Sequence, residues 1–226
     1  MFSNAADLAG MIDHTRLAPD TTLEAVRQAC EEARRYRFAA VCIPPCYVEE
    51  AADRLRGSAV AVCTVIGFPL GYQSLSVKIV EAMEAVKRGA KELDLVIHLG
   101  AVKTGHADAV RTEVMNVRNV TSGALLKVIL DAGYLTREER VSACQWVREA
   151  GALWVKTSTG FGPKGATAAD VRLLKKSIGE GGFVKAAGGI RDLKTVEAMV
   201  RAGASRIGTS RGVEIMKDYL RVRDRS

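Results

Sequence analysis

Short apolar runs rich in β-branched residues alternate with helix-patterned segments along the whole chain, and that alternation leaves few folds open. The clearest runs are Ala39–Ile43, Ala59–Ile66, Glu92–Leu99, Leu125–Leu130, Leu153–Thr157 and Phe183–Ala187, with weaker ones at Met11–Leu17 and Arg206–Gly208. Between them, apolar residues recur at helical spacing. Leu23, Val26, Cys30 and Ala33 form one such face, and Ile79, Val80, Met83 and Val86 another. Val141, Cys144 and Val147 repeat the pattern, as do Val171, Leu174 and Ile178, then Leu193, Val196 and Val200. Thr21 with Glu24, and Thr136 with Glu139, have the spacing of a capping box, which satisfies orphan N–H groups at a helix start. Gly89, Gly151 and Gly203 each follow a helical segment just before a strand, where a left-handed C-cap suits glycine.

Strands separated by helices imply a parallel sheet. Eight βα units in 226 residues, with no linker, low-complexity segment or composition shift, predict an α/β fold of one domain over residues 1–226. A closed (β/α)8 TIM barrel accommodates eight units best, although such barrels usually run to ~250 residues. An open doubly wound sheet is the alternative. Against it, no Gly-rich G-x-G-x-x-G turn follows the first strand.

Composition narrows the setting. Hydrophobic residues make up 48% and charged residues 26%, values of an ordinary globular chain. The formal charge is +7, which permits a nucleic acid or a phosphorylated ligand. The basic residues are dispersed, and aromatics are only 5%, so no stacking platform for single strands is evident. Five cysteines without regular spacing argue against a disulfide framework, and the Cys42–Cys46 pair lacks the partners of a zinc site. No metal is expected. The first eleven residues carry Asp7 and no long apolar run, and no stretch approaches the ~20 apolar residues of a membrane span. A cytoplasmic protein, without membrane or nucleic-acid partners, is the expectation.

Three of the strand candidates hold a lysine where an apolar residue belongs: Lys127, Lys156 and Lys185, with 29 residues separating each from the next. That period is one βα unit, so consecutive strands should hold them at similar depth, close in space. Asp94 interrupts the apolar run one strand earlier. A buried charge is costly unless it is paired or neutralised. A cluster of cations lowers the pKa of its members, and only a neutral amine attacks a carbonyl. A carboxylate beside them can pass protons. The cluster therefore reads as an amine nucleophile with its activator, and spacing alone does not say which lysine attacks.

The loops after the last three strands are Thr157-Ser158-Thr159-Gly160-Phe161-Gly162, Gly188-Gly189-Ile190-Arg191 and Gly208-Thr209-Ser210-Arg211. Backbone N–H groups of such loops approach anions closely, and barrels often bind phosphate in the loops after strands seven and eight. An amine nucleophile beside a phosphate cradle suits a Schiff-base enzyme acting on a phosphorylated aldehyde or ketone.

Val155-Lys156-Thr157-Ser158-Thr159-Gly160 and Val184-Lys185-Ala186-Ala187-Gly188-Gly189-Ile190-Arg191 resemble the two lysine motifs of the 2-deoxyribose-5-phosphate aldolase family. Asp13-His14-Thr15-Arg16-Leu17, Glu92-Leu93-Asp94-Leu95-Val96 and Leu126-Lys127-Val128-Ile129 resemble its first, fourth and fifth strands, in order over nearly the whole chain. The resemblance implies a (β/α)8 barrel without metal or organic cofactor. It implies reversible cleavage of 2-deoxy-D-ribose 5-phosphate to acetaldehyde and D-glyceraldehyde 3-phosphate. By the same resemblance Lys156 forms the Schiff base, Lys185 keeps it neutral and Asp94 relays protons. Thr159, Gly160, Gly188, Gly189 and Ser210 belong to the substrate and phosphate site, and Asp13, Cys42 and Lys127 stand behind it. The chain departs from some members at Phe161, where they have lysine, and at Arg211, where they have a second serine. A homodimer is expected. Two other readings share part of this pattern: another class I phosphosugar aldolase, and a non-catalytic phosphosugar- or nucleic-acid-binding barrel.

Overall fold

The computed structural model describes residues 2–223; Met1 and the end of the charged tail, Asp224 to Ser226, lie outside the described residues. Eight parallel strands close into a barrel in sequence order, β8 pairing with β1. They are β1 (Ile12–Thr15), β2 (Ala40–Ile43), β3 (Ala61–Ile66), β4 (Glu92–Val96), β5 (Leu125–Ile129), β6 (Trp154–Lys156), β7 (Phe183–Ala187) and β8 (Arg206–Thr209). The helices are α1 (Ala5–Ala9), α2 (Leu23–Tyr36), α3 (Val48–Arg54), α4 (Leu75–Lys87), α5 (Leu99–Lys103), α6 (Ala107–Val120), α7 (Arg137–Glu149), α8 (Ala168–Ile178), α9 (Leu193–Arg201) and α10 (Gly212–Arg223). The closed alternative is thus the observed one, and the doubly wound sheet is not.

Successive residues of a strand face opposite sides. Leu93 and Leu95, Val128, Val155, Val184 with Ala186, and Ile207 join the large hydrophobic cluster packed by the helices. A fully buried Val or Leu side chain there contributes roughly 1.5–3 kcal/mol, and this outer layer carries most of the apolar burial. The inside differs: a small cluster of Ala40, Cys42, Cys63 and Val65 lines one wall, and the buried charged side chains include Asp13, Asp94, Lys127, Lys156 and Lys185.

The boundaries follow local chemistry. Thr136 and Glu139 form the expected capping box at α7. At α2 the expectation shifts by one residue, because Thr22 is the N-cap and its side chain accepts from Ala25 N. The run predicted to Leu99 ends at Val96, since His98 caps α5 through Nδ1, which accepts from Ala101 N at 3.0 Å. The α4 face is also corrected. Val80 and Met83 are more than half exposed, and Lys78, Ala82 and Ala85 are the buried residues. A small-residue face lets α4 approach the barrel closely, and hydrophobicity alone does not reveal it.

Candidate active site

Asp94 is the centre of the barrel interior. It lies on β4 and is fully buried. Lys156 Nζ donates to Asp94 Oδ2 at 2.8 Å and Lys185 Nζ donates to the same oxygen at 2.7 Å. Lys127 Nζ donates to Oδ1 at 3.1 Å. Two thiols complete the shell: Cys63 Sγ at 3.4 Å from Oδ1 and Cys42 Sγ at 4.0 Å from Oδ2. One carboxylate thus gathers all three strand lysines.

The expectation of equal depth holds for two of them. Lys156 pairs in register with Lys185 across β6 and β7. Lys127 pairs with Trp154, two residues before Lys156, and stands opposite Asp94 on β4. It reaches Glu92 as well, at 2.6 Å.

Below this level is a second tier. Asp13 Oδ2 faces Lys185 Nζ at 2.5 Å, and Asp13 Oδ1 accepts from Arg206 Nε at 2.7 Å. Arg206 spans to Glu92 at 2.9 Å. Sequence reasoning named Asp13 but missed the roles of Glu92, Arg206 and Cys63. Period two was the available signal: Glu92 is two residues before Asp94 on the same strand face.

The electrostatics correct one expectation. The lysines were expected to depress one another. Burial does disfavour the Lys185 ammonium, but Asp13 and Asp94 outweigh it and hold Lys185 well above the usual lysine range. Burial likewise opposes the charge of Lys127, and Asp94 more than restores it, so Lys127 is also pushed up. Burial would raise the Asp94 carboxyl, yet Lys127, Lys156 and Lys185 keep it well below the ordinary value. Burial opposes the charge of Asp13 too, and Lys185 and Arg206 bring it down to about 2. Carboxylates interleaved among the amines reverse the effect expected from cations alone.

A cavity of about 460 Å³ opens at the C-terminal ends of the strands. Lys156 reaches it, as do Thr159, Gly160, Gly188, Gly189 and Ser210 from the three polar loops. Arg16 and Arg191 add guanidinium groups to its wall, and Phe161 adds a half-exposed ring. The loops are laced together. Thr157 Oγ1 bridges to Ala187 O and N, both at 3.0 Å, and Ala166 N donates to Gly188 O at 2.9 Å. Gly188 has φ +96°, and a Cβ there would meet Gly165 and Ser158 at 3.2 and 3.3 Å. Thr159 Oγ1 donates to buried Asp131 Oδ2 at 2.8 Å and accepts from Phe161 N at 3.1 Å. Asp131, unremarked in the sequence, follows β5 in a left-handed conformation at φ +42°.

Cys42, Cys63 and Asp94 bring donor atoms within 4.8 Å of one another, as do Asp13, Cys63 and Glu92. Every carboxylate of both trios already faces a lysine or arginine. Tyr219, on α10, is not among the residues that line the cavity; its ring packs edge-on against Phe2.

An amine cluster inside a strand barrel, with a single member open to a loop-lined cavity, agrees with what known proteins add. The model of the DeoC/LacD aldolase family matches residues 7–218. The chain belongs to this aldolase family. It is 49% identical over 216 residues to the deoxyribose-phosphate aldolase of Caldanaerobacter subterraneus subsp. tengcongensis, covering 94% of each chain. It is 50% identical over 212 residues to that of Geobacillus sp. strain WCH70, covering 93% of this chain and 95% of the relative. Among solved structures, the aldolase QR15 superposes with a TM-score of 0.92 at 42% identity, covering 96% of this chain and 97% of QR15. The deoxyribose phosphate aldolase of Aeropyrum pernix, described as a unique tetramer, gives 0.91 at 37% identity, covering 97% and 93%. Family membership makes this aldolase a lyase.

Proposed function

We propose that this aldolase cleaves 2-deoxy-D-ribose 5-phosphate reversibly to acetaldehyde and D-glyceraldehyde 3-phosphate, with Lys156 as the Schiff-base nucleophile. One observation carries the assignment: of the three lysines on Asp94, only Lys156 lines the cavity. The interior pairs four cationic side chains, Lys127, Lys156, Lys185 and Arg206, with three carboxylates, Asp13, Glu92 and Asp94. Of these amines, Lys185 is held well above the usual lysine range by Asp13 and Asp94 against the cost of burial.

In this reading the neutral Lys156 amine attacks C1 of the open-chain aldehyde. The carbinolamine loses water to give the iminium. A base removes the proton of the 3-hydroxyl, the C2–C3 bond breaks, and its electron pair moves into the enamine. Glyceraldehyde 3-phosphate departs. Protonation at C2 and addition of water then release acetaldehyde and regenerate the amine. Asp94, bridging Lys156 and Lys185 through one oxygen, is placed to pass these protons through water. The phosphate would lie on the loops carrying Gly160, Gly188, Gly189 and Ser210, with Arg16 and Arg191 supplying charge where Phe161 cannot. Asp13 and Lys127 fix the interior charges, and Cys42 packs against Asp94. We propose that the chain acts as one barrel domain and assembles as a homodimer, to be checked by light scattering. No helix of the described residues is long and apolar enough to cross a membrane, in keeping with the proposed cytoplasmic setting.

The test is to incubate the protein with 2-deoxyribose 5-phosphate, add borohydride, and locate the modified lysine by peptide mass spectrometry. An adduct on Lys156 is expected. An adduct on Lys185 or Lys127 would overturn the role assignments, and the absence of both adduct and acetaldehyde would sink the substrate reading.

A further inference from the structure

A fourth buried lysine lies outside the barrel interior. Lys78, on α4, is fully buried, and its ammonium has an acceptor for each of its three protons. It donates to Glu113 Oε1 at 2.5 Å, Gly71 O at 2.6 Å and Val96 O at 2.8 Å. The other Glu113 oxygen accepts from His98 N at 3.0 Å. The ammonium therefore ties together α4, α6, the end of β4 two residues after Asp94, and the loop between β3 and α4. Apolar side chains of similar volume often replace a buried ion pair at little cost in stability. What they cannot supply is direction: three hydrogen bonds that fix where two backbone carbonyls lie.

The loop, residues 67–74, is built around this group. A Cβ on Gly67 would come within 2.7 Å of Lys78 Cε, and one on Gly71 within 2.3 Å of Ile97 O. Gly67 N donates to Glu81 Oε2 at 2.7 Å, and Gly71 N donates to Gly67 O at 2.8 Å. The loop carries Phe68, which packs against the Cys42–Cys63–Val65 wall of the interior. Its ring also meets Phe161 edge-on at 5.4 Å, and Phe161 lines the cavity directly after the phosphate-loop residue Gly160.

We propose that Lys78 is a positioning residue: seated on Gly71, Val96 and Glu113, it fixes the β3–α4 loop so that Phe68 supports Phe161 as the cavity wall beside the phosphate loop. The proposal rests on the substrate reading above for its kinetic consequence. The wall shapes binding of the phosphorylated substrate and leaves the amine chemistry of Lys156 alone.

The test is Lys78→Met, which keeps the length and removes the charge. KM for 2-deoxyribose 5-phosphate should rise by about tenfold with kcat within roughly threefold of the parent. Borohydride trapping of acetaldehyde on Lys156 should stay unchanged. Hydrogen exchange at the Gly67 and Gly71 amides should accelerate by at least about tenfold. Lys78→Met/Glu113→Leu removes the stranded carboxylate. If KM and exchange stay raised in the double variant, positioning is supported; if both return to parent values, the defect was the unpaired Glu113 and the proposal falls. Unchanged KM and exchange in Lys78→Met, or a loss of kcat or of trapping, overturns it as well. If the parent does not cleave the sugar phosphate, the substrate reading fails, and the exchange measurement still decides whether Lys78 holds the loop.

Discussion

Two buried lysine–carboxylate clusters serve the same barrel mouth, and they obey opposite rules of charge. Around Lys78 one cation meets one carboxylate and two carbonyls, and every proton of the ammonium is used. Inside the barrel, four cations share three carboxylates. A matched cation is a fixed support. Burial lowers the pKa of Lys78 against the pull of Glu113, whereas Asp13 and Asp94 hold Lys185, and Asp94 holds Lys127, above the usual lysine range. The difference separates a lysine that holds structure from a set of lysines arranged for chemistry.

The largest effect should come from removing the proposed nucleophile. Lys156→Met should lower activity by ~10⁴-fold or more and abolish trapping, as loss of a covalent nucleophile does. Because Met keeps the length of the side chain and Asp94 keeps Lys127 and Lys185 as partners, its thermal midpoint should hold; a fall of several degrees would break the comparison. Asp94→Asn removes the negative charge that three amines share and one of its two acceptor oxygens. Turnover should drop by about 10²–10⁴-fold, and urea unfolding should register a loss of ~3–5 kcal/mol.

Lys78→Met should cost a similar ~3–5 kcal/mol by stranding Glu113, while Lys78→Met/Glu113→Leu recovers most of that in the same denaturation assay. Failure of the double variant to recover stability would mean that the pair is not a matched one.

The acid limb sharpens the contrast. Asp13 titrates near 2 when folded against 3.8 unfolded. A depressed carboxyl stabilises above its unfolded pKa, and the contribution is lost as pH falls through the folded one. This group should therefore supply on the order of 2 kcal/mol above pH ~4 and lose it between about 4 and 2. Asp13→Asn should flatten that part of the stability profile in chemical denaturation. Lys185, whose folded pKa is raised, has the opposite sign: its contribution is complete below the unfolded lysine value and is lost only at strongly alkaline pH. The smallest effect is expected for Cys63→Ala, which removes a weak thiol donor to Asp94; stability should change by about 1 kcal/mol or less, with turnover within a few-fold.

Much of this site was legible because a charge inside an apolar strand has few explanations. Asp94, Lys127, Lys156 and Lys185 stood out for that reason, and the Gly-bearing loops after the last strands marked the cavity. Residues whose partners are distant in sequence were not legible. Arg206 and Glu92 meet across 114 residues. Lys78 sits in a helix, where a lysine is ordinary, and its three acceptors come from a loop, a strand end and another helix. Asp131 gave no signal in the sequence, and only the fold brings Thr159 Oγ1 onto its carboxylate.

The residue order by itself determined the eight βα units and the chemistry available at the strand ends, because these depend on local periodicity and side-chain type. Tertiary structure alone decided the register that sets Lys127 two residues below Lys156, and the carboxylates that keep Lys185 protonated. It also decided which single lysine opens to the cavity. Those outcomes depend on distances between strands and on burial, and a charge has no fixed energy until its neighbours and its solvent are in place.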